Sequence, residues 1–215
     1  MSAATAVLIP IRSFEHGKSR LASSMTAEQR QRMLQHMADA VLGAAAPLPA
    51  AVVTEDPHVA GWAGQAGALV LDERGHGLNA VVAGAVAELA AAGFERVVVA
   101  HGDLPLADDL TWLVDAALPD VVIVVDRWDD GTNVLAVPSR AGFRFAYGPS
   151  SSARHCAEGR RLGLTASLVR DPLLGWDVDV ADDLTLPADD DLAALRRASA
   201  RARTQVRHHP QLACR

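Results

Sequence analysis

Short apolar runs alternate along the chain with longer amphipathic or alanine-rich segments. Seven runs rich in β-branched residues are predicted to be strands, at residues 5–11, 50–55, 68–73, 96–102, 120–127, 132–138 and 166–171. Helices are predicted at residues 26–46, 78–92, 108–117, 151–162 and 189–207. This alternation is typical of βαβ units, so we predict an α/β fold with a mainly parallel sheet.

The first predicted helix carries a clear start signal. Thr26 is followed three residues later by Gln29, which is the pattern of a capping box. Met33, Met37 and Val41 then recur at helical spacing. We therefore expect a helix that packs on the sheet, with the methionines in the core.

A chain of 215 residues, half of them hydrophobic, is long enough to bury one full core. We predict a main domain over residues 1–187. A compositional change follows, where three aspartates open a helix in which arginine accumulates toward the end. Residues 188–215 are accordingly expected to form a C-terminal helix and tail that belong to the same domain.

The formal net charge of −6 argues against a general nucleic-acid-binding protein, because such proteins neutralise phosphates with a basic surface. Cys156 and Cys214 are far apart and form no C-x-x-C pair, so neither a disulfide framework nor a zinc site is predicted. No signal segment is recognised, and the apolar runs are too short and interrupted to span a bilayer. We expect a cytoplasmic protein that binds neither nucleic acid nor membranes.

The loop after the first predicted strand is basic and rich in small residues. In "IPIRSFEHGKSRLA", Arg12, Lys18 and Arg20 follow an apolar run and precede the first long helix. Ligands of open α/β sheets bind beyond the carboxyl ends of the strands, and cationic side chains with backbone N–H groups favour anions there. The loop is a candidate phosphate site, and a solvated basic loop is the alternative.

Three aspartates supply the complementary charge. Asp103 follows the fourth predicted strand in "HGDLPL", where Pro105 stops the strand, and a carboxylate held in this way suits Mg²⁺. Asp177 and Asp179 lie two residues apart on one face of an extended segment and repel each other unless a cation or an arginine lies between them. The alternative for Asp103 is a turn or helix cap. Asp182 and Asp183 are interpreted as helix caps.

Two glycine-containing loops open predicted helices. "GHGLNAVV" would let a planar base approach the backbone, with Asn79 as a hydrogen-bonding partner, although it is neither a Walker A nor a Rossmann fingerprint. "FRFAYGPSSSARH" delivers Gly148 and Ser151 into a helix start that would seat a carboxylate or phosphate. Ordinary turns are the alternative for both. His155 and Cys156 are interpreted as structural residues rather than a catalytic dyad.

Taken together, seven stretches resemble the guanylyltransferases of coenzyme F-420 biosynthesis, which include phosphoenolpyruvate and 2-phospho-L-lactate guanylyltransferases. In chain order they are "IPIRSFEHGKSRLA", "VVTEDP", "GHGLNAVV", "HGDLPL", "DDGTNVLAV", "FRFAYGPSSSARH" and "DVDVADDL". The resemblance covers roughly residues 7–184. Any one stretch is a weak signal, and the occurrence of all seven in the same order makes the resemblance specific.

The resemblance implies a single-domain Rossmann-like nucleotidyltransferase fold, GT-A-like, with a mixed, mostly parallel central sheet flanked by helices. It implies transfer of GMP from GTP to the phosphate of a three-carbon phospho-acid, with phosphoenolpyruvate preferred or 2-phospho-L-lactate as acceptor, and release of pyrophosphate. The implied catalytic residues are Lys18, Arg20 and Asp103. The nucleotide would be bound by Arg12, Lys18, Arg20, Gly77 and Asn79. Mg²⁺ would be held by Asp103, Asp177 and Asp179, and the acceptor by backbone and hydroxyl donors at Thr132, Gly148 and Ser151.

Two positions depart from the family pattern. The family commonly has Lys where Arg12 stands and Gly where Ser150 stands. An arginine offers a planar fork and a lysine a point charge, so the contact geometry at a phosphate differs. The Ser150 position bears on the shape of the acceptor pocket.

Two rival functions remain at this stage. One is a sugar-phosphate or cofactor nucleotidyltransferase of the same fold; the basic loop lacks the glycine cluster of the molybdopterin enzymes. The other is a non-catalytic nucleotide-binding partner subunit, against which the three aspartates count. The expected partners are GTP, a phospho-carboxylic acid and the downstream transferase that consumes the product. A homodimer is one assembly that the sequence leaves open.

Overall fold

The computed structural model describes residues 4–73, 75–208 and 214. It contains a seven-stranded sheet with the spatial order β3-β2-β1-β4-β6-β5-β7. The strands are β1 (Thr5–Pro10), β2 (Ala50–Thr54), β3 (Leu69–Asp72), β4 (Arg96–Ala100), β5 (Val121–Val125), β6 (Thr132–Pro138) and β7 (Ala166–Val169). Each of the seven predicted strands is confirmed, with ends that differ by a few residues.

The sheet is mixed and mostly parallel, as expected. β6 runs antiparallel to both of its neighbours, β4 and β5, whereas all other pairs are parallel. The central strands are almost continuously apolar because helices cover both of their faces. β5, for example, consists of five buried residues with the sequence VVIVV.

In the described part of the chain, five helices flank the sheet: α1 (Ala27–Ala45), α2 (Pro57–Gln65), α3 (Leu78–Ala91), α4 (Ser151–Arg161) and α5 (Asp189–His208). One core layer packs α1, α2 and α5 against the sheet, and a second layer packs α3 and α4 against its other face. None of the helices in the described residues combines the length and the hydropathy that a membrane span requires.

The start of α1 is the predicted capping box. The Thr26 hydroxyl accepts from the backbone N–H of Gln29, and the Gln29 side chain accepts from the Thr26 N–H. Met37 and Val41 are buried on the side that faces the sheet, and Met33 packs at its margin. The methionine stripe is therefore core, as expected.

Buried charge joins α5 to the rest of the molecule. Arg203 on α5 pairs with Asp171, which follows β7, through an Nε–Oδ2 distance of 2.6 Å. It also pairs with Asp108 at 2.6 Å. Ser199, one turn earlier on the same helix, donates to Asp171 at 2.6 Å.

The predicted helix over residues 108–117 is wrong. The segment contains only a 3₁₀ turn, Thr111–Val114, in which Trp112 and Leu113 are buried. The Asp109 carboxylate accepts from the N–H of Thr111, and Asp115 accepts from the N–H of Ala117. Such local side-chain bonds compete with helical hydrogen bonding and favour turns.

Helix α2 was not predicted, although its start signal is present in the sequence. The Asp56 carboxylate accepts from the N–H groups of His58 and Val59, and Pro57 occupies the first helical position. An N-cap Asp followed by Pro is a recognised helix start.

The two cysteines form a disulfide, Cys156–Cys214, across 58 residues of sequence. The expectation that no disulfide would form is therefore wrong for this pair. Wide spacing in sequence says nothing about separation in space, and here α4 and the described residue of the C-terminal tail meet. The remainder of the predicted tail after His208 lies outside the described residues.

Candidate active site

The candidate site lies where the order of the sheet reverses. β1 has β2 on one side and β4 on the other, and ligands of open α/β sheets bind beyond the strand ends at such a point. A cavity of about 750 Å³ opens there. The predicted site residues that line it are Arg12, Lys18, Arg20, Asp103, Thr132, Gly148, Ser151, Asp177 and Asp179.

The basic loop after β1 is fixed by its own residues. Phe14 is buried and packs edge-on against Trp62, with ring centroids 5.3 Å apart. Leu21, fully buried, anchors a 3₁₀ turn over Ser19–Leu21. Lys18 precedes that turn in the left-handed conformation, with φ of 51°. This conformation turns the chain so that the Lys18 side chain enters the cavity.

Lys18 joins two of the predicted metal ligands. Its Nζ donates to Asp103 Oδ2 and, at 2.6 Å, to Asp179 Oδ1. Burial by itself would lower the pKa of Lys18, but the two carboxylates outweigh it and raise the pKa above its usual value. Lys18 is therefore fully charged at neutral pH. Lys18 thus lies between Asp103 and Asp179, and a cation between Asp177 and Asp179 stays a prediction.

Asp103 and Asp177 have opposite pKa shifts. Burial opposes ionisation of Asp103, yet the positive charge and hydrogen bond of Lys18 lower its pKa below the usual value. Burial, followed by the negative charges of Asp103 and Asp179, raises the pKa of Asp177 to about 6. The site thus concentrates more negative charge than Lys18 alone neutralises.

Two carboxylate oxygens in this cluster have no hydrogen-bond partner in the described part of the chain: Oδ1 of Asp103 and Oδ1 of Asp177, both buried. An unsatisfied buried carboxylate oxygen is costly and calls for a ligand. No three His, Cys, Asp or Glu side chains among the described residues form a ready metal-binding group. Mg²⁺ is nevertheless held in many sites by one or two carboxylates together with substrate phosphates, so Asp103 and Asp177 fit this ion.

The loop that carries Asp177 and Asp179 is irregular rather than extended strand, and a buried ion pair fixes it. Arg127 pairs with Asp183 at 2.5 Å and donates to the Asp177 carbonyl at 2.9 Å. The Asp183 carboxylate also accepts from the N–H groups of Asp179 and Val180. Asp183 is thus a capping residue, as interpreted from the sequence, and in addition it positions the acidic loop.

The turn between β5 and β6 forms another wall of the cavity. The Asp126 carboxylate accepts from three N–H groups, those of Trp128, Asp130 and Gly131. A Cβ at Gly131 would lie 2.6 Å from Asp126 Oδ2, which explains why glycine stands there. The wall is therefore rigid where it leads into Thr132.

Ser150 adopts the left-handed conformation, with φ of 55°. Glycine adopts this conformation without the penalty of roughly 1–2 kcal/mol that other residues incur. The N–H and the hydroxyl of Ser150 both bond to the Asp130 carboxylate, which offsets that penalty. The departure from the family pattern at Ser150 therefore has a local structural compensation.

Thr132, Ser151 and His155 form a buried hydroxyl–imidazole cluster. Ser151 Oγ lies 3.2 Å from Thr132 Oγ1, which lies 3.0 Å from Nδ1 of His155. His155 Nε2 accepts from the N–H of Ala146 at 3.0 Å. Gly148, with φ of 110°, supplies the bend between Ala146 and the start of α4.

Backbone donors at the start of α4 are already in use. The N–H of Ser151 donates to the Gly148 carbonyl at 3.0 Å, and the N–H of Ser152 donates to the Asp130 carbonyl at 3.1 Å. Binding of an anion by backbone donors at this helix start stays a prediction. The hydroxyl groups of Thr132 and Ser151 are the donors that face the cavity.

Two residues of the site were missed by sequence reasoning. His101 and Tyr147 line the cavity with ring centroids 5.1 Å apart. His101 Nε2 and the Tyr147 hydroxyl are buried without a partner in the described residues. Burial lowers the pKa of His101 and raises that of Tyr147, so both are neutral at pH 7. The position of His101 directly after β4 was the available signal.

The structure does not bring Gly77 and Asn79 to the cavity wall. Asn79 lies in the first turn of α3, and its Oδ1 accepts from the N–H of Tyr147 at 2.6 Å. Leu78, between the two, does line the cavity. Asn79 therefore fixes the loop that carries Tyr147, and a direct contact of Gly77 or Asn79 with a nucleotide stays a prediction.

The wall of the cavity combines two kinds of recognition. Cationic side chains and buried carboxylates suit a polyphosphate together with a divalent cation. Neutral hydroxyl donors suit a second anionic group. The part of the chain that the structure describes contains no free cysteine, so Cys156 is not a nucleophile here. This geometry fits transfer between phosphates better than covalent catalysis.

A family model described as "Guanylyl transferase CofC like" matches residues 5–186. The chain belongs to this family. It is 35% identical over 189 residues to a phosphoenolpyruvate guanylyltransferase of Chloroflexus aggregans, covering 83% of this chain and 94% of that protein. It is 32% identical over 186 residues to a 2-phospho-L-lactate guanylyltransferase of Methanothermobacter thermautotrophicus, covering 84% and 82% of the two chains. The resemblance inferred from the motifs is confirmed, and the CofC-like chain is a nucleotidyltransferase.

Comparison with solved structures supports the fold. A putative nucleotide-diphospho-sugar transferase from Desulfovibrio desulfuricans superimposes with a TM-score of 0.73, covering 95% of this chain and 98% of the other. The two sequences are only 16% identical, so this likeness concerns the fold alone. The predicted nucleotidyltransferase fold is confirmed.

Proposed function

We propose that this CofC-like guanylyltransferase transfers GMP from GTP to the phosphate of a three-carbon phospho-acid, in coenzyme F-420 biosynthesis. Phosphoenolpyruvate is the preferred acceptor, and 2-phospho-L-lactate is the alternative. The observation that carries the proposal is the meeting of Lys18 with Asp103 and Asp179 in the same cavity that the Thr132 and Ser151 hydroxyls line. The similarity to guanylyltransferases that use each of these acceptors supports it.

The chemistry needs no strong base. An oxygen of the acceptor phosphate, already ionised, attacks the α-phosphorus of GTP, a new P–O bond forms, and the bond to the β-phosphate oxygen breaks in line as pyrophosphate leaves. Alignment and charge compensation supply the rate enhancement. We assign the triphosphate to Lys18, Arg12 and Arg20, whose charges offset the negative charge on the transferring group and on pyrophosphate.

Asp103 and Asp177, with Asp179 beside them, would hold Mg²⁺, which supplies positive charge to the phosphates when it is bound. Their unpartnered buried oxygens support this assignment. A carboxylate of the acceptor would be bound by Thr132 and Ser151, near Gly148. Gly77 and Asn79 are proposed near the base or ribose.

The proposed partners are the two small-molecule substrates and the transferase that consumes the product. A homodimer and a cytoplasmic location stay predictions. Because the product joins two phosphates in a reactive phosphoanhydride, the assay includes pyrophosphatase so that the equilibrium favours transfer.

The test follows pyrophosphate release, measured as the phosphate that pyrophosphatase forms from it, from each nucleoside triphosphate with Mg²⁺ and, separately, phosphoenolpyruvate, 2-phospho-L-lactate and 3-phosphoglycerate. We expect release with GTP and the highest kcat/KM with phosphoenolpyruvate. Release with another nucleotide in place of GTP would favour the rival nucleotidyltransferase function. Binding of GTP without release for any acceptor would favour the non-catalytic function.

A further inference from the structure

His155 is fully buried on α4, and both of its ring nitrogens are engaged. Nε2 faces the backbone N–H of Ala146 at 3.0 Å, and Nδ1 faces Thr132 Oγ1 at 3.0 Å. A backbone N–H can only donate, so Nε2 must carry the lone pair. In a neutral ring the proton then resides on Nδ1 and is donated to Thr132.

The surroundings of His155 keep the ring neutral. The rings of Tyr147 and Phe143 lie against it, with centroid distances of 4.9 and 5.8 Å. Burial, with a smaller contribution from the positive charge of Arg154, lowers the pKa of His155 to about 4. The tautomer is therefore fixed by Ala146 throughout the neutral pH range.

The tautomer determines what the two hydroxyl groups present to the cavity. Thr132 and Ser151 together have two hydroxyl hydrogens, and the contact of 3.2 Å between their oxygens uses one of them. Because Thr132 accepts from His155, it does not spend its hydrogen on the imidazole. One hydroxyl hydrogen is left for a ligand, whichever way the contact between the two oxygens runs.

The opposite tautomer would reverse this outcome. If Nδ1 carried the lone pair, Thr132 would donate to it, Ser151 would donate to Thr132, and only oxygen lone pairs would face the cavity. Lone pairs repel a carboxylate or phosphate oxygen. The backbone N–H groups of Ser151 and Ser152 are already bonded and cannot replace the missing donor.

We infer that His155 is a positioning residue for the acceptor: its Nδ1–H, fixed by the Ala146 N–H, makes the Thr132–Ser151 pair a hydrogen-bond donor to an anionic oxygen of the phospho-acid. This inference rests on the proposed function, because that function supplies the acceptor. His155 does not touch the reacting atoms. Its effect appears in acceptor binding and not in GTP binding.

The test compares His155→Asn with His155→Asp, two side chains of the same shape. The Asn amide nitrogen takes the place of Nδ1 and donates to Thr132. The Asp carboxylate places an acceptor there, so that Thr132 donates to it, Ser151 donates to Thr132, and no hydroxyl hydrogen is left for the ligand. We expect His155→Asp to raise the KM for the acceptor by about 10- to 100-fold relative to His155→Asn, the loss of one hydrogen bond to a charged group, with a much smaller change in the KM for GTP. His155→Asn should stay within about threefold of wild type.

Thr132→Val keeps the shape of the side chain and removes the hydroxyl that connects residue 155 to Ser151, so the difference between His155→Asn and His155→Asp should disappear in this background. Should both His155 variants fold poorly, ¹⁵N NMR of the wild type should still show the His155 proton on Nδ1 with the acceptor bound. Ser152→Ala is the matched control on the same helical turn. Ser152 is buried, and its hydroxyl donates to the Asp129 carbonyl outside the cavity wall, so its acceptor KM should be that of wild type.

Equal acceptor KM values for His155→Asn and His155→Asp, a difference between them that persists in the Thr132→Val background, or a proton on Nε2 of wild-type His155, would overturn the inference. Absence of pyrophosphate release in the wild type would count against the proposed function alone. Calorimetric titration of wild type and variants with the three phospho-acids then decides the inference. Weaker binding to His155→Asp than to His155→Asn supports it, and equal binding overturns it.

Discussion

Replacing Asp171 by alanine should cost about 3 kcal/mol of unfolding free energy. The Asp171 side chain has no exposed surface, and its carboxylate pairs with Arg203, which is 11% exposed. It also accepts from the N–H groups of Leu173 and Leu174 and from the Ser199 hydroxyl. Breaking a buried ion pair costs about 3–5 kcal/mol. The lower end applies because Arg203 keeps Asp108 as a second partner.

The change is measured by urea unfolding, followed by circular dichroism and tryptophan fluorescence. For a chain of this size, about 3 kcal/mol corresponds to a fall in Tm of roughly 6–12 °C. Asp171→Asn should lose about 2 kcal/mol, because its carbonyl still accepts from the backbone while its amide faces the Arg203 donor.

The matched control is Arg207→Gln on the same helix. Arg207 pairs with Asp115 at 3.1 Å, and both side chains are more than a third exposed. An exposed pair of this kind contributes about 0–1 kcal/mol. If Asp171→Ala were no more destabilised than this control, the idea that buried charge joins α5 to the sheet would be refuted.

Three further changes have definite expected outcomes. Asp103→Asn should lower kcat by about 100-fold or more with an unchanged circular dichroism spectrum, whereas the exposed Asp182→Asn should not; wild-type turnover in the first would reject its catalytic role. Gly131→Ala should lose about 1–3 kcal/mol in urea unfolding, because the new Cβ would lie 2.6 Å from a carboxylate oxygen. Gly43→Ala, in open helix surface, should instead be stabilising. Finally, His155 has a pKa of about 4 in the folded protein against 6.5 when unfolded, so the unfolded chain takes up the proton first as the pH falls. Stability should be complete above pH 6.5 and fall by about 3 kcal/mol toward pH 4, relative to His155→Asn; parallel pH curves for the two proteins would contradict this.

The strands could be predicted because a strand buried on both faces requires a continuous apolar run, and such runs are visible in the sequence. The order and direction in which the strands pair could not be predicted from the same runs. β6 follows β5 by a short turn and inserts antiparallel between β5 and β4. The helix predicted at residues 108–117 does not form, because the local hydrogen bonds of the Asp109 and Asp115 side chains outweigh helical propensity there.

Within the site, sequence reasoning identified charged residues by their place after strands. It did not find His101, although this residue directly follows β4, and it did not find Tyr147, because a single phenol carries no local signal of a role. It also expected backbone and hydroxyl donors for an anion at the helix start near Ser151, and it could not show that the N–H groups of Ser151 and Ser152 bond to the Gly148 and Asp130 carbonyls.

The sequence by itself determined the fold class, the family and the chemistry of the strand-end loops, because each depends on local pattern and on residue type in order along the chain. Only the tertiary structure decided which charges meet. Lys18 bonds to Asp103 and Asp179, residues 85 and 161 positions away. That meeting requires the sheet order and the left-handed turn at Lys18. The position of the proton on the His155 ring likewise depends on the backbone N–H of Ala146, which lies in a neighbouring loop. The spacing of these residues in the sequence does not encode that contact.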